Sequence, residues 1–222
     1  MRSDDEVEKM KVLYEDNHLL VVEKIPNVPM QEDSSGDRDM LNIAKDYLKQ
    51  KYEKPGNVYL GLVHRLDRPA GGVCVFAKTS KAASRLSEDI RKGRFHKEYL
   101  AVVMDRGLED KGHFHDFLLK DSRTNTVRVD PKGKEASLDY EVLKRKDGLA
   151  LVKIDLHTGR SHQIRVQFAS RNHPLWGDQR YNKDSKTGEQ LALWSYSITL
   201  IHPTKKEEMT FTDEVHRYPF DL

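Results

Sequence analysis

A carboxylate that is to do covalent or acid–base chemistry needs a fixed perch and a neighbour that keeps it charged. Residues 63–72, Val63-His64-Arg65-Leu66-Asp67-Arg68-Pro69-Ala70-Gly71-Gly72, offer both. Pro69 and the two glycines bend the backbone before the apolar run Val73-Cys74-Val75-Phe76-Ala77, which places Asp67 at the tip of a turn feeding a strand. Flanked by Arg65 and Arg68, Asp67 can stay ionised and act as nucleophile, general base or electrostatic partner. A turn-capping aspartate paired with an arginine would carry the same residues, so the decision rests on the rest of the chain.

Three further clusters bear on it. In Lys97-Glu98-Tyr99 a strand would project Lys97 and Tyr99 from one face and Glu98 from the other. An aromatic ring beside a cation suits a nucleobase, which stacks on the ring while the cation holds phosphate. In His157-Thr158-Gly159-Arg160-Ser161-His162-Gln163-Ile164-Arg165-Val166 a β-rich run ends, Gly159 permits a tight turn, and Thr158 or Ser161 can cap a helix to about Ser170. Arg160, His162, Gln163 and Arg165 crowd its anion-attracting N-terminus. Ile164 and Phe168 would face the core, leaving Arg165 to reach a buried carboxylate. The third cluster is His173-Pro174-Leu175-Trp176-Gly177-Asp178-Gln179-Arg180-Tyr181, a loop with a defined turn whose Leu175 and Trp176 suit core packing.

The elements that must position these groups are short and mixed. Val12–Tyr14 and Leu19–Val22 read as strands across an Asp16-Asn17 turn, followed by an extended connector from Lys24 through Pro29. A polar loop covers 31–39. Leu41, Ala44, Tyr47 and Leu48 repeat at helical spacing up to Pro55-Gly56. A helix capped by Thr79 or Ser80 runs to Lys92, with Ala83, Leu86 and Ile90 inward. Residues 97–104 form a strand, 105–135 short strands and turns, 137–143 and 149–156 a hairpin about Lys146-Asp147-Gly148, and 191–200 and 208–211 closing strands. This is the pattern of one mixed α+β domain, 12–222, after a frayed lead-in over 1–11.

Composition narrows the setting. The 222 residues are 33% charged with a net charge of +2, so overall charge identifies no partner. Locally, Lys81 to Lys97 carries six bases against two acids, the kind of excess that phosphate contacts require. The single cysteine, Cys74, allows no intrachain disulfide and suits a buried strand position in a reducing compartment. A charged N-terminus and the lack of any apolar run of membrane-spanning length argue for a cytoplasmic protein without membrane association.

Taken together, the clusters resemble the RluA family of pseudouridine synthases. HRLD (64–67) is similar to that family's catalytic motif, and FAKTSKAA (76–83) continues it in register. HKEYLAVV (96–103), LHTGRSHQIRVQFA (156–169), HPLWGDQRY (173–181) and QLALWSYSITLIHP (190–203) follow in the family's order, after VLYEDNHLLVVEKIPNVPMQED (12–33). The resemblance implies isomerisation of uridine to pseudouridine in ribosomal or transfer RNA, without metal or cofactor. Asp67 would be the catalytic carboxylate, Tyr99 would stack on the base and assist proton removal, and Arg165 would pair with the aspartate. His64, Arg65, Lys97, Arg160, His162 and Gln163 would contact substrate, with Arg65 filling the space of the flipped-out base. The implied fold is a curved, mostly antiparallel sheet flanked by helices with a central basic cleft. It would act as a stand-alone catalytic domain, monomeric, with no obligate protein partner and no N-terminal S4-type RNA-binding domain. Ala70-Gly71 stands where the family commonly has Thr-Ser, Ile25 where proline is usual, and Trp194-Ser195 where His-Ala is common.

Two rival readings use other residues. A non-catalytic RNA-binding module on the same fold has no need of a carboxylate facing a phosphate-rich ligand. A metal-dependent hydrolase would draw on His113-x-His115-Asp116 or on His157 with His162; the first set has no evident further ligands and the second straddles a turn.

Overall fold

The structure is a computed structural model that describes Val7 and residues 10–222. The lead-in expected over 1–11 thus lies, for residues 1–6, 8 and 9, outside the described residues; Val7 and Met10 are buried. The elements are β1 (Val12–Glu15), β2 (Leu19–Lys24), α1 (Met40–Lys51), β3 (Gly61–Leu62), β4 (Gly71–Ala77), α2 (Ser80–Arg91), β5 (His96–Met104), β6 (Lys111–Asp121), β7 (Thr126–Val129), β8 (Lys134–Lys146), β9 (Leu149–Leu156), α3 (Gln163–Ala169), β10 (Leu193–Ile201) and β11 (Glu208–Thr212). The class is α+β, as expected from sequence, and the pairings of β1 with β2, β2 and β3 with β4, β10 with β11, β5 with β9, β6 with β7 and β8, and β8 with β9 are antiparallel.

The chain forms two compact units, Met1–Phe95 with Ser197–Glu214, and His96–Tyr196 with Val215–Leu222. In the first, strands run β1-β2-β4-β10, with β3 on β4 and β11 on β10. Asp16 turns β1 into β2, its Oδ1 accepting from the N–H groups of His18 and Leu19 at 2.7 and 2.8 Å. All seven residues of β4 are buried. With period-two alternation, Val73, Val75 and Ala77 pack with Leu19, Val21, Ala82 and Leu86, so one face of the strands is covered by α2. Thr79 caps α2 as expected, its Oγ1 accepting from Ala82 N–H at 3.1 Å. The inward face of α2 differs in detail: Ala82, Leu86 and Asp89 are buried, and Asp89 is there because it holds Arg94 just past the helix end.

The second unit is ordered β5-β9-β8-β6-β7. Asp147 and Gly148, at φ 52° and 75°, make the two-residue turn between β8 and β9, a geometry suited to the twist of a hairpin. β6 is a continuous strand rather than the short pieces expected. Its alternation is Phe114 and Leu118 inward against exposed His113, His115 and Phe117, which a run of histidines obscures in sequence. Phe114, Tyr140 and Phe168 meet at ring-centroid distances of 4.9–5.4 Å. Helix α3 is correspondingly buried on every side, from Gln163 to Phe168, and not only at Ile164 and Phe168.

Candidate active site

In the first unit, segment 63–70 connects β3 to β4. Ala70 N–H donates to the Asp67 carbonyl at 3.0 Å, closing the turn that carries Asp67. Gly72, at φ 108°, sits where a side chain would strain the backbone. Beneath the turn lies Lys24, fully buried at the end of β2 and not part of an extended connector as expected. Its Nζ donates to the carbonyls of Ile25 at 3.1 Å, Arg68 at 2.8 Å and Ala70 at 2.6 Å. Three acceptors match the three donors of an ammonium. Burial pulls the Lys24 pKa down from 10.5 to about 7, against the attraction of Asp67; the Cys74 thiol beside it is pushed up to about 12 by burial and is neutral. The clamp was missed because a lysine inside a core is the least expected occupant. The legible signal was a lysine closing the apolar run Leu19-Leu20-Val21-Val22.

The flanking groups are engaged elsewhere. Arg68 reaches into loop 33–37, donating to the Asn27 carbonyl at 3.2 Å and Ser35 Oγ at 3.0 Å, and pairing with Asp37. It therefore anchors that loop as well as flanking Asp67. His64 Nε2 accepts from Val75 N–H at 3.0 Å, which fixes the proton on Nδ1 in the neutral ring; the ring packs 5.3 Å from Phe95. Arg65 is exposed.

The other expected site residues lie in the second unit. On β5, Glu98 faces solvent and pairs with Lys153 at 2.7 Å, while Tyr99 is buried. Lys97 is largely enclosed and its pKa is lowered by burial; a Cβ on Gly159 would lie 2.9 Å from Lys97 Nζ. Lys97 and the turn at Gly159 are thus brought together, and a side chain at 159 would displace the flexible end of Lys97. The helix entrance differs from expectation. His162 occupies the cap position at φ 52° without a side-chain cap, whereas Thr158 Oγ1 donates to Gln163 Oε1 at 2.7 Å. Gln163 also accepts from Arg160 N–H and donates to the Ser137 carbonyl and Gln167 Oε1, so its amide is committed to the fold. Arg160 donates to the Glu135 carbonyl at 2.7 Å.

Arg165 forms a two-pronged pair with Asp178, Nε to Oδ2 and Nη2 to Oδ1, both at 2.8 Å. Asp178 Oδ1 also accepts from the N–H groups of Arg180 and Tyr181 at 3.0 and 3.1 Å. Burial opposes ionisation of Asp178, but the Arg165 hydrogen bonds and charge, with the two backbone donors, outweigh it and hold the carboxyl below its usual range. Tyr181 completes the group: its hydroxyl meets His162 Nδ1 at 2.7 Å and its ring lies 5.2 Å from the Arg165 guanidinium. Asp178 and Tyr181 are neighbours of Arg165 and His162 that sequence reasoning left in a packing loop. Their charge and hydroxyl beside Trp176-Gly177 were the only hint.

The first unit thus carries Asp67 on a turn whose backbone is held by a buried lysine, and the second carries a buried tyrosine, an enclosed lysine and an arginine oriented by Asp178. The family description "RNA pseudouridylate synthase" matches residues 18–170, and the chain belongs to that family, in its RluA-type branch. It is 32% identical over 212 residues to "Ribosomal large subunit pseudouridine synthase C" of Buchnera aphidicola, covering 90% of this chain and 65% of that protein. It is 34% identical over 222 residues to an "Uncharacterized RNA pseudouridine synthase" of Aquifex aeolicus, covering 92% and 69%. The chain thus spans just under two thirds of the length of the first of these relatives. Among solved structures, "Human RNA Pseudouridylate Synthase Domain Containing 4" aligns at a TM-score of 0.81 and 20% identity, over 99% of this chain and 92% of that one, a likeness of fold.

Proposed function

We propose that this chain isomerises uridine to pseudouridine in RNA, with Asp67 as the catalytic carboxylate. The observation that carries the reading is a family match over 18–170, a range that contains Asp67, on a turn whose backbone is gripped by a buried ammonium. The reaction breaks the C1′–N1 bond of uridine, forms C1′–C5, and moves the C5 proton away, so base and ribose must be held in one place throughout. A fixed carboxylate can attack the ribose C1′ or the base, or assist departure of the uracil anion. Tyr99 is assigned to stack on the base and to receive the C5 proton, and Arg165, aligned by Asp178, to keep the carboxylate ionised and oriented. Arg65, Lys97 and His162 are assigned to substrate. Taking a base out of its stack costs a few kcal/mol, and stacking on an aromatic ring returns about 1–3 kcal/mol.

Ribosomal RNA is the favoured substrate, supported by relatives named for the large ribosomal subunit. Work on RNA in the cytoplasm is consistent with a lone cysteine buried in a strand; among the described residues no helix is long and apolar enough to cross a membrane.

The test is Asp67→Asn. Asparagine keeps the size and turn preference of aspartate but not its charge. The variant is expected to fold and bind RNA while pseudouridine formation, read by mass spectrometry on RNA from a deletion strain, falls below detection. A folded Asp67→Asn protein that converts uridine at the wild-type rate overturns the assignment.

A further inference from the structure

The outer face of the second unit carries a cluster that the isomerisation does not use. His113 on β6 is paired in register with Asp139 on β8, and His157 directly follows β9, the next strand over. His113 Nδ1 lies 2.7 Å from Asp139 Oδ1 and His157 Nε2 lies 2.6 Å from Asp139 Oδ2. The three donor atoms fall within 4.8 Å of one another. These are not the histidine sets visible in sequence: His115 is held by Glu135 at 2.8 Å, Asp116 by Arg171 at 2.9 Å, and His162 by Tyr181. The sheet, not local spacing, assembles the group.

We propose that His113, Asp139 and His157 form a binding site for a divalent transition-metal ion, Zn²⁺ in the first instance, separate from the uridine chemistry. Two imidazoles and one carboxylate are a usual set of protein ligands for zinc, leaving a fourth position to water. At zinc–ligand lengths of about 2.0–2.2 Å a tetrahedral site separates neighbouring donors by roughly 3.3 Å, so each His–Asp contact need open by only a fraction of an ångström. All three residues are exposed, so their side chains have room to adjust.

Electrostatics point the same way. Asp139 lies directly across from Asp155 on β9, both exposed, and like charges facing each other across a ladder are unfavourable. Their neighbours Glu98 and Glu141 are already matched by Lys153 and Lys111. A dication bound by neutral imidazoles would neutralise the Asp139–Asp155 pair and tie β6, β8 and β9 together on the solvent side. Imidazole and carboxylate donors favour Zn²⁺, with Co²⁺ and Ni²⁺ as substitutes, over Mg²⁺ or Ca²⁺.

The experiment uses the tag-free full chain, stripped with chelator and titrated with Zn²⁺ by calorimetry and with Co²⁺ by visible absorption. Expected are one ion per chain, perturbation of the His113 and His157 imidazole resonances, and a melting temperature that climbs with the logarithm of zinc concentration. Asp139→Ala and His157→Ala are expected to weaken Zn²⁺ binding by more than the roughly 10–100-fold typical of losing an outer partner, while His115→Ala binds as wild type. Circular dichroism checks that each variant is folded. No uptake of Zn²⁺ or Co²⁺ by the wild-type chain, or uptake unchanged in folded Asp139→Ala and His157→Ala, overturns the site.

Discussion

Arg165 and Asp178 allow the sharpest energetic test. Their side chains are 6% and 0% exposed, so the pair has given up its hydration and depends on the hydrogen bonds around it. Removing one partner of such a pair costs about 3–5 kcal/mol, because the survivor stays buried and uncompensated. Asp178→Asn is the informative change, since its amide oxygen can still accept from the N–H groups of Arg180 and Tyr181 while the charge is gone. For a chain of this size each kcal/mol moves Tm by about 2–4 °C, so the variant should melt roughly 6–20 °C lower. Asp178→Ala should lose about 1–2 kcal/mol more, for the two orphaned backbone donors. Adding Arg165→Met to Asp178→Asn removes the cation that has lost this buried carboxylate, and the double variant should be more stable than the sum of the singles by about 2–3 kcal/mol. Acid supplies an independent check. The Asp178 carboxyl is held below its usual value, so its contribution is complete above the unfolded-state pKa of about 3.9 and is lost as pH falls through the lower folded value. The Asp178→Asn penalty should therefore shrink below about pH 4. Calorimetric melts across pH decide the matter. A drop of less than about 2 °C at neutral pH, or strict additivity of the double variant, would refute the claim that this pair is desolvated and coupled.

Other outcomes follow from the same geometry. Tyr99→Phe keeps the stacking face and should bind RNA while turning over slowly or not at all; Tyr99→Ala should lose both and, being buried, about 3 kcal/mol of stability as well. A Tyr99→Phe protein of wild-type activity would remove the hydroxyl from proton transfer. For Lys24 the sign is reversed from that of a carboxylate: its folded pKa of about 7 lies below the ordinary lysine value of 10.5, so the cost of burying its charge is complete below about pH 7 and diminishes as pH rises toward 10.5. Stability measured from about pH 6 to 9 should rise in wild type relative to Lys24→Met, and a parallel profile would count against a titrating Lys24. Of the basic run on α2 and its exit, Lys92 and Arg94 are held by Glu88 and Asp89 and Arg85 by the Pro203 carbonyl. The phosphate contacts are therefore assigned to Lys81 and Arg91, and reversing both charges should lower the log–log salt slope of RNA binding by roughly one for each phosphate no longer neutralised. An unchanged slope would place the RNA track elsewhere.

What could be seen in sequence was whatever depends on local pattern. The Thr79 cap, the Asp147-Gly148 turn and the alternation of β5 are short-range chemistry, and each is found where it was expected. The Asp67 turn was legible for the same reason, through Pro69 and the glycines. What escaped notice depends on distant partners. Lys24 is meaningful only once the carbonyls of Arg68 and Ala70 are above it, and Asp178 only once α3 brings Arg165 to it. The entrance to α3 shows the same limit: Thr158 and Ser161 had cap chemistry, but Ser137 on β8 and Gln163 claimed Thr158, and His162 took the left-handed position instead.

Lys24 holds the turn by its peptide carbonyls and by no side chain of residues 68–70. Such a grip is indifferent to what those residues are, provided the backbone can follow its path. Substitutions at 69–71 are then expected to leave the carboxylate in place, as Ala70-Gly71 does here. In evolutionary terms the buried lysine acts as a buffer: it moves the constraint off the turn's own residues and onto one position 43 residues earlier than Asp67, where replacement should be tolerated least.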